Sequence, residues 1–194
     1  MGAVTTLRPI QPDRGAFLIA SPRLLDPNFM HAVVLLCAHG AEGSYGLIVN
    51  RQGDMTVEDL ESDSVLLAGR RDPIWAGGPV QMETLQILHR LGSEIPGALH
   101  IVDDVHLGGD APVVRALIEK RQPLPEQMKF VLGYAGWGAG QLEQELEQGS
   151  WIVTTADADL VFDPSPRKVW RRALRALGEP YASLADEPPD PSWN

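Results

Sequence analysis

The chain has 194 residues, a length typical of one domain, and 44% of them are hydrophobic, which is enough for a core of ordinary size. A formal charge of −10 argues against a nucleic-acid-binding protein, because such proteins usually present a basic surface. The single cysteine, Cys37, excludes an intrachain disulfide scaffold of the secreted type.

The sequence shows neither a signal peptide nor a membrane span. No apolar run approaches the roughly 18–20 residues that cross a bilayer, and residues 1–16 lack the apolar stretch of a secretion signal. We therefore expect a cytoplasmic protein without membrane contact. Residues 1–15 are predicted to form a mobile arm, residues 16–178 a single domain, and the acidic, proline-rich residues 179–194 a disordered tail.

The first third of the domain contains three short apolar runs that predict strands: Ala16–Ala20, Ala32–Ala38 and Gly46–Asn50. Asp26 followed by proline predicts a single helical turn over Pro27–His31. Gly40–Tyr45 predicts a hairpin turn. Because the link between the second and third strands is too short for a crossover, the strands are predicted to pair antiparallel.

The middle of the chain contains a helix-capping signal and a segment that interrupts regular secondary structure. Thr56 and Asp59 form a capping pair, and Gly77-Gly78-Pro79 breaks any helix or central strand. The predicted elements are a short helix from Val57, strands over Leu85–His89 and Leu99–Val102, and an amphipathic helix over Ala111–Arg121.

The last third alternates short strands and helices. The predicted strands are Met128–Leu132, Trp151–Thr154 and Asp159–Phe162, and the predicted helices run over about Ala139–Gln148 and from Ser165 to Leu177. Hairpins mixed with helices in this way indicate an α+β fold rather than a regular βαβ array.

The most informative segment is FVLGYAGWGAGQLEQEL, Phe130–Leu146, which predicts a strand, a glycine-rich turn and a helix. The glycines would allow either close approach of backbone to a ligand or tight packing of Tyr134 and Trp137. The segment has neither the Gly-Lys-Ser/Thr of a P-loop nor the glycine spacing of a dinucleotide fold. Glu143 would also repel a phosphate at the start of the helix. Both interpretations stay open.

Three other groups of residues suggest chemistry. Glu143 and Glu147 share a helix face, but acid–base catalysis would require one of them to be buried. Cys37 and His39 point to one side of a strand, yet zinc needs two further ligands, and Cys37 lies in an apolar run. Segment 165–178 has five basic residues and no acidic one. Its face could contact the acidic tail, an acidic partner or nucleic acid. No motif indicates a cofactor or metal.

The chain resembles the YqgE/AlgH family of bacterial proteins. The matching segments are FLIASPRLLDPNF, VVLLCAHGAEGSYGLIVNR, AGGPV, Leu88-His89 and GYAGWGAGQLEQEL with Trp151. The resemblance implies one compact domain with a bifurcated, partly barrel-like sheet surrounded by helices, in a cytoplasmic protein without an established activity. Some members are labelled transcriptional regulators. Family members often have proline where this chain has Gln52.

The leading hypothesis is a non-enzymatic binding or regulatory protein for an unknown small molecule or protein partner, with no indication of oligomeric state. Its predicted site lies where polar and aromatic side chains meet glycines: Asn50, Gly77, Gly78, Tyr134, Trp137, Gln141 and Glu143. The second hypothesis is an enzyme that uses Glu143 or Cys37. The third is a transcriptional regulator that acts through the basic helix, although the acidic composition argues against nucleic-acid binding.

Overall fold

A computed structural model describes residues 11–60, 71–120 and 123–186. The strands are β1 (Ala16–Ala20), β2 (Val33–Gly40), β3 (Gly43–Ile48), β4 (Gln52–Thr56), β5 (Pro73–Ala76), β6 (Val80–His89), β7 (Leu99–Val102), β8 (Val105–Leu107), β9 (Met128–Gly138) and β10 (Trp151–Thr155). The helices are α1 (Ala111–Glu119), α2 (Gln141–Glu147), α3 (Ala158–Val161), α4 (Pro166–Ala176) and α5 (Tyr181–Leu184). The α+β prediction is confirmed.

The strands form one curled, mixed sheet in the order β10-β1-β2-β3-β9-β6-β8-β7. The predicted antiparallel pairing of β1, β2 and β3 is confirmed. The sheet divides at β9. Its first half pairs in parallel with β5 over Phe130–Leu132, and its second half pairs antiparallel with β3 over Ala135–Gly138. This fork is the predicted bifurcation, and β10 lies at one end of the sheet.

The glycine-rich stretch that was predicted to be a turn belongs to β9. Gly136 pairs with Tyr45 and Gly138 pairs with Gly43, so the strand continues to the residue before Ala139. Gly133 has a φ of +71°, and the pairing with β6 shifts register beside it. This bulge reverses which residues face each side of the sheet. The prediction failed because glycines read locally as a turn, whereas the partner strand β3 comes from distant sequence.

One other prediction is wrong. Residues 159–162 were predicted to form a strand, but Ala158–Val161 is helical, and the Asp157 side chain accepts a hydrogen bond from the Asp159 amide at 2.8 Å. A short apolar run does not distinguish a buried strand from a buried helical turn. In the tail, α5 packs Tyr181 and Leu184 against the core, so its described part is ordered. Residues 187–194 lie outside the described residues.

The start of the domain is also held in place. The Gly15 amide donates to the Leu36 carbonyl at 2.9 Å, and the Gly15 carbonyl accepts from the Ala156 amide at 3.1 Å. The rest of the predicted arm, residues 1–10, lies outside the described residues. The predicted capping pair is present, since Asp59 accepts from both the amide and the hydroxyl of Thr56 at 2.7 Å. It caps a single 3₁₀ turn.

Helices cover both faces of the sheet and enclose three apolar clusters. One cluster, which includes Phe17, Leu35 and Trp170, lies beneath α3, α4 and α5. A second, with Trp137, Leu142 and Trp151, lies beneath α2. A third lies beneath α1 and contains Phe130. In the part of the chain that the structure describes, no helix is long and apolar enough to cross a membrane.

Candidate functional site

A groove of about 980 Å³ runs along β10 at the end of the sheet. We call it the β10 groove. Its floor is Trp151–Val153, one wall comes from the end of α2, and the other wall comes from the end of α4 and from α5. The wall residues used below are Leu24, Leu146, Glu147, Leu177, Tyr181 and Leu184. Exposed Arg23 and Gln148 lie at its rim.

The floor of the β10 groove is an open strand edge. β10 pairs with β1 on one side and, among the described residues, with no strand on the other. The Ser21 amide donates to the Ser150 carbonyl at 2.9 Å, and the Ala156 amide donates to the Gly15 carbonyl at 3.1 Å. Hydrogen-bonded pairs alternate along an antiparallel ladder. The backbone groups of Ile152 and Thr154 therefore face β1, and those of Trp151 and Val153 face the groove.

Apolar side chains border this edge on both faces of the sheet. Val153 packs with Leu24 and Leu146 against the cluster that contains Trp151. Ile152, on the opposite face, packs with Leu177, Tyr181 and Leu184 against the other large cluster. The groove thus offers apolar contact on both sides of its floor.

One end of the groove is organised by Glu145, a residue that the sequence analysis did not select. Its carboxylate accepts hydrogen bonds from the indoles of Trp137 at 2.9 Å and Trp151 at 2.7 Å, and from the Gln141 amide group at 2.9 Å. Phe29 packs edge-on against Trp151, with ring centroids 5.5 Å apart. These contacts fix α2 to β9 and β10. The sequence spacing Gln141–Glu145 was the available signal, but nothing local identifies the two tryptophans as its partners.

Glu143 lies at the groove and contacts His39. Its carboxylate is 3.6 Å from His39 Nε2, and His39 Nδ1 is 2.8 Å from the Ser44 hydroxyl oxygen. Ser44, His39 and Glu143 are thus connected like the nucleophile, the base and the orienting acid of a catalytic triad. However, the Glu143 side chain is 50% exposed and Ser44 is only 9% exposed. Neither is the buried acid or the accessible nucleophile that catalysis would require.

Gly77 and Gly78 allow close packing of backbones. A Cβ at Gly77 would lie 2.4 Å from the Gly133 carbonyl oxygen, and a Cβ at Gly78, whose φ is +153°, would lie 2.2 Å from the Tyr134 carbonyl. The two glycines hold the β5–β6 link against β9. At these two positions the absence of a side chain permits close backbone packing.

Asn50 holds a turn. Its side-chain oxygen accepts from the Val33 amide at 2.8 Å, and its amide nitrogen donates to the His31 carbonyl at 2.9 Å. The neighbouring Arg51 donates to the Asn28 carbonyl at 2.5 Å. Together they fix the turn at residues 27–31, which was predicted to be helical.

Tyr134 and Trp137 line a second, shallower hollow of about 450 Å³, together with Ser44 and Tyr45. The rings of Tyr45 and Tyr134 are 5.0 Å apart. The seven predicted residues therefore do not converge. Glu143 lines the β10 groove, Tyr134 and Trp137 line the second hollow, and Gln141 lies between them, since its side-chain oxygen accepts from the Gly138 amide at 3.0 Å.

Cys37 is a core residue with 1% exposure. Burial raises the pKa of its thiol to about 12, which disfavours the nucleophilic thiolate. Within the described ranges, no group of three histidine, cysteine, aspartate or glutamate side chains is arranged to hold a metal ion.

The basic side chains of α4 are exposed, but two of them bind acids of this chain. Arg172 donates to buried Asp163, and Arg175 donates to Asp186 in the segment predicted as tail. The segment predicted as tail therefore contacts the basic helix through Asp186. Arg167, Lys168 and Arg171 form the outer face.

The sequence matches the model of the AlgH-like family, DUF179, over residues 17–182. The chain belongs to the AlgH-like family. It is 39% identical to a UPF0301 protein of Chlorobium limicola, over 93% of this chain and 95% of that protein. It is 42% identical to a UPF0301 protein of Anaeromyxobacter dehalogenans, over 84% and 86% of the two chains.

Two solved structures share the fold. The solution structure of the AlgH protein from Pseudomonas aeruginosa has a TM-score of 0.70 and 30% identity, and the match covers 94% of this chain and 98% of that one. A crystal structure of a Corynebacterium diphtheriae protein has a TM-score of 0.77 at 22% identity, with coverage of 93% and 95%. The AlgH-like, bifurcated α+β domain expected from the sequence resemblance is confirmed.

Proposed function

We propose that this AlgH-like protein is a non-enzymatic binding protein that holds a partner in the β10 groove. The observation that carries the proposal is an open groove of about 980 Å³, lined by both apolar and polar side chains, at an edge of the sheet where no strand of the described residues pairs. Concave sites with apolar walls and a few directed polar groups are the usual places where proteins bind partners and ligands. The seven residues predicted from sequence contribute Glu143 to this groove.

A binding role rather than catalysis is supported by the surroundings of Cys37 and Glu143, the two residues considered for catalysis. The Cys37 thiol is buried and held protonated, and Glu143 is half exposed. The proposal includes a location in the bacterial cytoplasm, for which the bacterial relatives and the single cysteine are the supporting observations.

Site-specific photo-crosslinking in a bacterial host would test the proposal. A photoreactive phenylalanine analogue would replace Arg23 or Gln148, two exposed residues that line the groove. Glu119, an equally exposed helical residue on α1, is the matched control. We expect an adduct of one defined mass from both groove positions and none from position 119. If neither groove position gives an adduct, or position 119 gives the same one, the proposed site is wrong.

A further inference from the structure

The floor of the β10 groove exposes backbone rather than side-chain hydrogen-bonding groups. The amides and carbonyls of Trp151 and Val153 point into the groove, as the alternation along the β1 ladder requires. A helical partner has no free backbone groups to match them. An extended polypeptide matches all of them at once, because its own groups repeat with the same two-residue period.

The walls determine the side chains that such a segment would carry. Successive residues of an added strand point to opposite faces of the sheet. One set would meet the surface formed by Leu24, Leu146 and Val153, and the other would meet Leu177, Tyr181 and Leu184. Since both faces are apolar, the matching segment is apolar at successive positions, as strands covered on both faces are.

The charge at the rim adds a second requirement. Glu143 and Glu147 line the groove one helical turn apart on α2, and both are exposed. His39 also contacts Glu143. Arg23 is the exposed cation at the rim, so the two carboxylates leave the rim with a net negative charge. A lysine or arginine next to the apolar stretch would meet these carboxylates, and the net charge of −10 would attract such a segment from a distance.

We propose that the partner is an extended segment of another protein, apolar and flanked by a basic residue, that pairs with β10 as an additional strand of the sheet. This inference rests on the proposed function, because it identifies the occupant of the same groove. It also gives β10 a specific role, since Val153 at its centre provides the donor and acceptor on which the pairing depends.

The test uses the full-length protein and short random peptides displayed on phage. Peptides enriched on the wild-type chain would be synthesised, and their binding would be measured against Val153→Pro and its matched control Val153→Ala. Proline removes the groove-facing N–H but no bond to β1, and proline is tolerated on edge strands. Because Val153 packs against a core cluster, both variants should melt somewhat below wild type, and a cooperative transition in each checks that the fold is intact.

We expect enriched peptides to be apolar with a flanking lysine or arginine. Binding should weaken by about tenfold in Val153→Pro, which corresponds to the loss of one hydrogen bond, and by far less in Val153→Ala. Only every second amide of an added strand faces β10. N-methylation of the odd-numbered or of the even-numbered peptide nitrogens should therefore abolish binding for one of these two sets and not for the other.

Other outcomes overturn the inference. Strand addition would be excluded if the peptides bound Val153→Pro as tightly as wild type. It would also be excluded if the two alternately methylated peptides bound equally well. If the groove crosslinks persist in that variant, the proposed function survives while this inference fails. A dimer that dissociates in Val153→Pro would assign the edge to a second copy. Peptide binding that requires deletion of residues 2–10 would assign it to the chain itself.

Discussion

Lys129 is a buried amine held by backbone rather than by an acid. It is 3% exposed, and its Nζ donates to the carbonyls of Val49 at 2.8 Å and Val161 at 2.5 Å. The same nitrogen lies 3.5 Å from the centre of the Trp75 ring. Burial lowers the pKa of Lys129 from 10.5 to about 7, because the charged form loses its hydration.

This residue predicts a pH-dependent stability. The folded state binds the proton less tightly than the unfolded state, so the free energy of unfolding should rise as the pH rises from about 7 to 10.5. Lys129→Met removes the titration, and its unfolding free energy relative to wild type should fall by several kcal/mol over that interval. Urea unfolding at a series of pH values measures the difference.

Lys168→Met is the matched control, since Lys168 is exposed on α4. Its difference from wild type should stay within about 0.5 kcal/mol at every pH. Parallel curves for Lys129→Met and wild type would show that Lys129 keeps an ordinary pKa in the folded protein.

At the scale of elements, β9 organises the molecule because it belongs to both branches of the sheet. Its bulge at Gly133 turns Tyr134 toward the cluster beneath α4 and turns Ala135 and Trp137 toward the cluster beneath α2. The Gly77–Gly78 link then packs directly on the bulge. Both branches of the fork therefore depend on backbone positions that have no room for a side chain.

Two glycines with nearly the same positive φ distinguish the effect of steric crowding from that of backbone strain. Gly133 has φ +71° and Gly140 has φ +72°. A Cβ at Gly133 would lie 2.5 Å from the Gly78 carbonyl oxygen, whereas a Cβ at Gly140 has nothing within 4 Å. Gly140→Ala should cost about 1–2 kcal/mol of unfolding free energy through its left-handed conformation. Gly133→Ala should cost about 2–5 kcal/mol, because overpacking adds to that strain.

Thermal and urea unfolding of the two variants measure this difference. Equal losses would mean that the β9 bulge relaxes freely and that the fork does not depend on the close approach of the two backbones.

At the scale of the whole molecule, the negative net charge favours a protein partner over nucleic acid. The net charge is −10, and two arginines of α4 are engaged by Asp163 and Asp186. Three outward-facing basic residues remain on that helix, which is a small footprint for a phosphate backbone.

We therefore expect no retardation of a mixed-sequence DNA duplex in gels at low salt, where electrostatic binding is strongest. Binding that weakens steeply with salt and disappears in the double variant Arg167→Glu, Arg171→Glu would contradict this expectation and revive the transcriptional-regulator hypothesis. A double variant of exposed basic residues outside α4, Arg115→Glu with Lys120→Glu, makes the same change in net charge and is the control.

The sequence by itself determined the elements whose signals are local. β1 and β7 begin and end where their apolar runs predicted, and α1 begins after Asp110, whose side chain accepts from the Val113 amide at 3.1 Å. The capping pair of Thr56 and Asp59 and the family membership were also readable from residues alone. Each of these signals lies within a few residues of the structure it specifies.

The tertiary structure decided everything that depends on a distant partner. The glycines of β9 form a strand because β3 pairs with them, and α5 is ordered because Tyr181 and Leu184 pack on the core. β4, β5 and β8 went unpredicted, since their strand character comes from pairing with strands elsewhere in the chain. The sequence predicted a strand at Trp151–Thr154, but not its position at the edge of the sheet. Local pattern specifies which way side chains alternate, whereas long-range pairing determines which backbone groups remain open, and the β10 groove exists for that reason.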